Sequence, residues 1–237
     1  MFFHLIKNMV NRIGLAYTQM LNKKEYHAQT FDSINERPVE YEFLFRHLTK
    51  QAPKTILDVG TGLTALPHLM RTCGFVVTAI DNIKDYWPNG MINRHFYVIN
   101  DDITHTSLTS KFDFITCISV LEHIKNHAAA VKSMFSNLNP GGHLILSFPY
   151  NEKNYVENVY KLPGSNVKEL FPFITQAYSR RELDAWLSEN GGKILQQEYW
   201  RFSTGEYWTL GDPLCPPIQV DKNELHQISC ILIQKSC

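Results

Sequence analysis

The chain predicts a doubly wound α/β domain, and three observations carry that prediction. Continuous apolar runs with β-branched residues (KTILDV, FVVTAID, HFYVIN, FDFITCIS, GHLILSFP) alternate with helix-like segments, as strands covered on both faces of a parallel sheet require. The first run ends at Asp58 and enters a glycine-bearing turn that leads into a helix. Among 237 residues 44% are apolar and 19% charged, so the chain has the material for a full core and is far from a disordered composition.

Taken in order, Phe2, Leu5, Ile6, Met9, Val10, Ile13, Tyr17, Met20 and Leu21 recur at spacings of three and four, one face of a helix. Such a stripe needs cover from the domain core, a substrate cleft or a second subunit. Attachment to a membrane surface is the other reading, with Phe2 and Phe3 inserting while Lys7 and Arg12 meet headgroups, but two cations make a weak basic signal. Residues 22–36 lack periodicity and read as a connection. A second helix follows, with Pro38 in its first turn and Val39, Phe43, Leu44 and Leu48 on one side, ending before Pro53. Residues 1–53 then form an N-terminal helical cap or extension, and 54–237 the main domain.

Within that domain TALPHLMRTC and NHAAAVKSMFSNL are the helical connections, and the turn Asn139-Pro140-Gly141-Gly142 precedes the strand GHLILSFP. After Pro149 the alternation stops. Residues 150–178, rich in Tyr, Asn, Lys and Phe, read as a lid insertion. A capping box, Ser179-x-x-Glu182, then opens a helix through Leu183, Trp186 and Leu187 that stops at Gly191-Gly192. KILQQEYWRF and HQISCILIQK are the last two strands, separated by an irregular loop over 203–224 with three prolines.

Charge narrows the partners. Lys plus Arg number 23 against 23 Asp plus Glu, a formal net charge of zero, whereas a protein held to phosphates mainly by counterion release carries a basic surplus. A nucleic-acid partner is not expected. The five cysteines (73, 117, 215, 230, 237) are odd in number without C-x-x-C spacing, and read as reduced thiols. Lys7, Asn8, Asn11 and Arg12 interrupt the N-terminal stretch, which holds neither a signal sequence's apolar run nor the roughly 20 apolar residues needed to span a bilayer. A cytoplasmic location is the expectation.

The strongest chemical signal is ILDVGTGLT, Ile56 to Thr64. A strand ending in a glycine-rich turn beside a helix N-terminus lets a nucleotide-like ligand approach the backbone, and Gly60 and Gly62 have no Cβ to obstruct it. Alone, G-x-G is weak. Ala65 in the third glycine's place leaves a dinucleotide fingerprint open, and Asp81, ending the second strand about 20 residues on, suits the ribose of either ligand.

Asp58 ahead of the glycines, NDDIT at 100–104, FDFITCISVLEHI at 112–124 and LNPGGHLILSFP at 138–149 complete an ordered set. It resembles the class I S-adenosylmethionine-dependent methyltransferases, and VLEHI with NPGG looks like the branch that contains quinone-biosynthesis and many small-molecule methyltransferases. The resemblance covers about residues 54–150 and weakens toward the C-terminus. It implies a Rossmann-like seven-stranded sheet, mostly parallel with an antiparallel last strand, and S-adenosyl-L-methionine as cofactor. Asp58, Gly60, Thr61 and Gly62 would hold the methionine end. Asp81 would take the ribose, and Asp102 with the Ile103 backbone the adenine amino edge, with Asp101 able to substitute. Ile118 and Ser119 would floor the sulfonium. Thr64 stands where the family more often has a third glycine. Against each acid stands the plain alternative that Asp at a strand end is often a cap or turn former.

Methyl transfer from a sulfonium needs alignment of the acceptor, and a base only where the acceptor must lose a proton. His123 is the candidate base, and a structural role orienting Glu122 is the equal alternative. His123 and His127, four apart, would share a helix face beside Glu122, as in methyltransferases whose Glu-x-x-Glu-His element binds a divalent ion; Ser119 replaces the first Glu here, so no metal is expected. The acceptor pocket should come from the N-terminal segment, residues 150–178 and the 200–220 loop, whose aromatics, from Tyr150 and Tyr178 to Trp200 and Phe202, either line it or pack the lid. ISVLE differs from the Asn/Asp-Pro-Pro-aromatic element of base-amine methylation, which disfavours nucleic acid. The expected activity is methyl transfer to a hydroxyl or amine of a small metabolite, a sugar or natural-product intermediate; the alternative is a catalytically silent methyltransferase-like binding or scaffold subunit. A homodimer is compatible with the N-terminal stripe.

Overall fold

The computed structural model describes residues 2–31, 34–84, 90–167 and 171–236 and divides into two compact units, Met1–Ile34 and Asn35–Cys237. The first contains one helix, α1 (Phe2–His27). It runs six residues past the periodic stripe, so the connection expected from residue 22 is helical as far as His27.

The second unit contains α2 (Arg37–Gln51), β1 (Thr55–Val59), α3 (Leu66–Thr72), β2 (Val76–Asp81), β3 (Val98–Asn100), β4 (Phe112–Ile118), α4 (His127–Asn137), β5 (Leu138–Pro149), α5 (Arg180–Asn190), β6 (Gly192–Ser203), β7 (Pro213–Val220) and β8 (Ile228–Lys235). These strands form one sheet in the order β3-β2-β1-β4-β5-β8-β6-β7. Pairing is parallel from β3 to β5 and antiparallel from β5 through β8 and β6 to β7. The sheet has eight strands where seven were expected. The addition is β7, inside the 203–224 segment that its prolines marked as loop. Pro213, Pro216 and Pro217 lack an N–H for a ladder, which is tolerated because β7 is the outermost strand and has a neighbour on one side alone. The Asn139–Gly142 turn is likewise part of β5, absorbed by a register irregularity opposite Phe112 and Phe114.

Alternation along the strands sorts the core into two layers. Leu57, Ile115, Leu146 and Ile231 face α4 and α5 with Trp186, while Ile56, Phe114, Ile145 and Leu232 face α2 and α3. Phe43, Leu44 and Leu48 of α2 are fully buried in the second layer, each worth about 1.5–3 kcal/mol. The α2 helix is therefore a structural member of the sheet unit. It carries Pro38 in its first turn and ends at Ala52, which adopts φ +45° ahead of Pro53.

Among the described residues of 150–178, regular structure is a turn of 3-10 helix over Val159–Lys161 and the bridges Tyr150–Tyr178 and Val156–Ala177. Their last residues are stitched to the segment after β4. Gln176 donates from its backbone and from Nε2 to Glu122 O, and the Tyr178 hydroxyl donates to Leu121 O at 2.7 Å. The capping box forms at Ser179 and Glu182, and Gly191 closes α5 with φ +69°. Cys117 and Cys230 are buried free thiols, Cys73 and Cys215 exposed ones, and Cys237 lies outside the described residues.

Candidate active site

Strand order reverses between β1 and β4, the neighbours from which the sheet grows both ways, and a doubly wound sheet opens its ligand crevice at the carboxyl ends of such a pair. Asp58 and Thr116 lie opposite each other there, on the face covered by α2. Asp58 is buried; its Oδ2 accepts from Thr61 Oγ1 at 2.7 Å and its Oδ1 from Thr116 Oγ1 at 2.6 Å. Burial pushes the carboxyl up to about 6, against the pull of those two hydroxyls.

The turn after β1 is pinned to β2. Gly60 N donates to Ile80 O at 2.9 Å, and Gly62 N donates to Asp81 Oδ2 at 2.6 Å. Both glycines have positive φ, but for different reasons. A Cβ on Gly60 (φ +73°) would stand 2.2 Å from Val120 Cγ1, whereas one on Gly62 (φ +56°) would meet nothing within 4 Å. Gly60 thus permits packing of β1 against the segment after β4, and Gly62 faces open space. Asn93 Nδ2 donates to both Gly62 O and Thr64 O at 2.9 Å, tying the segment before β3 to the same turn.

The remaining expected cofactor residues divide. Ile118 and Ser119 end β4 beside the turn, with Ser119 at φ +49°. Asp102 is committed locally: Oδ1 accepts from Thr104 N and Oγ1 at 2.8 Å, capping a 3-10 turn, while Oδ2 lies 3.4 Å from Asn82 Nδ2. Asp101 serves the same stretch, accepting from Ser107 N at 3.2 Å and from the Thr106 hydroxyl. Ile103 is buried beneath them.

Sequence reading missed a charged cluster at the start of α2. Glu40 is buried; its Oε1 accepts from Ser119 Oγ at 2.5 Å and Ser147 Oγ at 2.6 Å, and its Oε2 accepts from Arg37 Nη1 at 2.8 Å. Burial raises the Glu40 carboxyl, and the Arg37 charge and both hydroxyls pull it back. Arg37 Nη1 also donates to Ile118 O at 3.3 Å. Arg37, Tyr41, Asp58, Thr61, Leu66 and Ile118 line a small cleft at this point. The one signal available was an acid, Glu40, standing inside the apolar stripe of Val39, Phe43 and Leu44.

His123 sits in a 3-10 turn (Leu121–His123) after β4. Its Nδ1 lies 2.8 Å from Ile174 O, which requires the proton on Nδ1 and leaves the lone pair on Nε2, 3.9 Å from Glu122 Oε1. Burial lowers the imidazole's pKa, which favours its neutral form, and drives the Glu122 carboxyl well above the usual range. The His123 ring meets Phe173 edge-on at 4.5 Å, and Phe173, Phe171, Tyr160 and Trp208 continue as one aromatic cluster. His127 opens α4 instead of sharing a helix face with His123, and its Nδ1 accepts from Trp186 Nε1 at 3.1 Å. Among the described residues no group of three or more His, Cys, Asp or Glu is arranged to hold a metal. Of the other aromatics, Tyr150 and Tyr178 are core, and Trp200 and Phe202 belong to β6 and pack against the α2 layer.

A crevice of this form takes a nucleoside-bearing ligand, and the residues present fit one: an unobstructed glycine, an acid at the end of the second strand, and a guanidinium at the mouth. A model of the methyltransferase domain family matches residues 28–197, and the chain belongs to that family. It is an S-adenosylmethionine-dependent methyltransferase. A ubiquinone biosynthesis O-methyltransferase of Coxiella burnetii is 26% identical over 170 residues, 67% of this chain and 71% of that one. Two solved structures share the fold. An S-adenosylmethionine-dependent methyltransferase from Clostridium acetobutylicum has a TM-score of 0.53 at 14% identity, covering 96% of this chain and 99% of the other. The 1,6-didemethyltoxoflavin-N1-methyltransferase of Burkholderia thailandensis has 0.56 at 12% identity, covering 96% and 90%.

Proposed function

We propose that this methyltransferase acts on a hydroxyl group of a small, ring-bearing metabolite. The observation that carries the reading is the placement of His123, in the 3-10 turn that follows β4 and in edge contact with Phe173 of the Tyr160–Phe171–Phe173–Trp208 cluster. Rings of this kind suit a flat, partly apolar acceptor, and a neutral imidazole with its lone pair on Nε2 suits removal of a hydroxyl proton. Oxygen is favoured over nitrogen because the curated relative is an O-methyltransferase.

When bound, the cofactor supplies a methyl group already activated on sulfur. The chain's own residues bind and align. Gly62 admits the ligand beside the backbone, Asp58, Gly60 and Thr61 shape the turn around the methionine end, and Arg37 answers its carboxylate. Asp81 addresses the ribose; Asp102 and the Ile103 backbone address the adenine; Ile118 and Ser119 floor the reacting centre. His123, held by Ile174 O, takes the acceptor's proton.

The test is methyl transfer by the purified chain from labelled S-adenosylmethionine to parallel panels of phenols and catechols, sugars, and amines. Labelled methyl ethers of the ring hydroxyls are the expected product. Transfer confined to amines or sugars would overturn the acceptor assignment, and calorimetry detecting no S-adenosylmethionine binding would overturn the cofactor roles.

A further inference from the structure

Most apolar side chains of α1 lie on one stripe; Leu15, 67% exposed, stands apart on the polar side, and Lys24 falls at the stripe's C-terminal end. Met9, Val10, Ile13 and Met20 lie within one angular stripe and are between 58% and 62% exposed. Ile6 and Tyr17 extend the same stripe, and both are exposed. Asn8, Asn11, Thr18, Gln19 and Asn22 occupy the opposite side, with Lys7 at one border and Arg12 and Lys23 at the other. An exposed apolar face this long on one helix marks an interaction surface.

Charge identifies what it meets. The α1 helix contains Lys7, Arg12, Lys23 and Lys24 against one acid, Glu25, a net charge of +3 with His neutral. With 23 acids and 23 cations in the whole chain, the residues outside α1 hold 19 cations against 22 acids, a net charge of −3. The neutral total therefore conceals a segregated cationic helix. The helix reaches His27, so Lys23 and Lys24 belong to it and double the two cations apparent from the apolar stripe. Pairing α1 with the α1 of a second copy would bring eight cations together against two acids, which disfavours self-association through this face. No helix among the described residues is long and apolar enough to cross a membrane. An apolar face of moderate width flanked by Lys and Arg is instead the pattern of a helix that lies in the plane of an interface.

We propose that α1 docks on an anionic lipid surface, its Met9–Val10–Ile13–Tyr17–Met20 face in the acyl boundary and its cations against the headgroups. The full-length protein should co-sediment with vesicles containing phosphatidylglycerol and not with pure phosphatidylcholine vesicles, with affinity falling roughly tenfold or more on moving from low to high salt. The double variants Val10→Glu/Ile13→Glu and Lys7→Glu/Arg12→Glu should each abolish the co-sedimentation. Both should retain S-adenosylhomocysteine binding by calorimetry, which establishes that the remainder of the protein is folded. Wild-type protein that ignores the anionic vesicles, or Val10→Glu/Ile13→Glu that still binds them, overturns the proposal. So does a wild-type dimer that this variant converts to monomer without vesicle binding, since the face is then a contact between copies. A raised acceptor KM in the same variant without vesicles overturns it in favour of a helix covering the acceptor. Vesicle binding requires no turnover, so its outcome is independent of the acceptor assignment.

Discussion

Gly60 and Gly62 share a turn, a positive φ and a motif, yet substituting alanine at each should damage different properties. At Gly62 the added methyl meets nothing within 4 Å, so the folded state bears the left-handed backbone alone, about 1–2 kcal/mol. At Gly60 the same backbone cost is joined by Cβ contacts of 2.2, 2.5 and 2.8 Å with Val120 Cγ1, Cγ2 and Cβ. Overpacking of that kind adds about 1–3 kcal/mol, for a total of about 2–5 kcal/mol. Chemical denaturation should rank the two in that order, and Val120→Ala should recover part of the Gly60→Ala loss, because it removes two of the three clashing atoms. Cofactor affinity should rank them the other way: Gly62→Ala fills the space left for the ligand and should weaken S-adenosylhomocysteine binding at least about tenfold, or about 1.4 kcal/mol. Calorimetry on Gly62→Ala at a temperature where it is fully folded is the decisive assay. Affinity within twofold of wild type would refute the assignment of that open space to the cofactor.

Three further outcomes are expected. Asp58 titrates near 6 in the folded protein against an ordinary 3.8, so between about pH 4 and 6 the native state holds a proton that the unfolded chain has lost, and this group's contribution to stability falls as pH rises through that window. Asp58→Asn abolishes the effect, and its stability relative to wild type should rise by about 2 kcal/mol between pH 4.5 and 7.5 in paired denaturation curves. Glu40→Ala leaves Arg37, Ser119 and Ser147 without their acceptor and should cost about 3 kcal/mol, whereas Glu40→Gln, which keeps an oxygen for the hydroxyls, should cost nearer 1 kcal/mol by the same measurement. His123→Ala should lower kcat on a neutral phenol about 100-fold with S-adenosylmethionine affinity unchanged, and lower it far less on a phenol already ionised at the assay pH; equal losses on both would remove it as the base.

The parts of this fold legible in the sequence are those set by local rules. The glycine turn, the capping box at Ser179 and Glu182 and the strand-to-helix alternation each need particular residues within a few positions of one another, and each was read correctly. What escaped depends on tertiary position. Pro213, Pro216 and Pro217 signal a loop until it is known that β7 has a free outer side. Glu40 is one acid in a helix until the fold brings Ser119 and Ser147 to it across 79 and 107 residues of chain. His123 and His127 share a helix face in projection, but the chain turns between them, and α4 starts at the second. Asp102 shows the reverse limit: a conspicuous acid at a predicted site spends one oxygen on capping its own turn.

The sheet's two ends bear on how the protein survives at high concentration. A broad sheet offers rows of unsatisfied amides at its margins, and such margins recruit identical chains into continuous ribbons. Here one margin is β3, three residues long, and the other is β7, which lacks an amide hydrogen at three of its eight positions. Neither can template a long ladder. Growth of the sheet from molecule to molecule is therefore disfavoured at both ends.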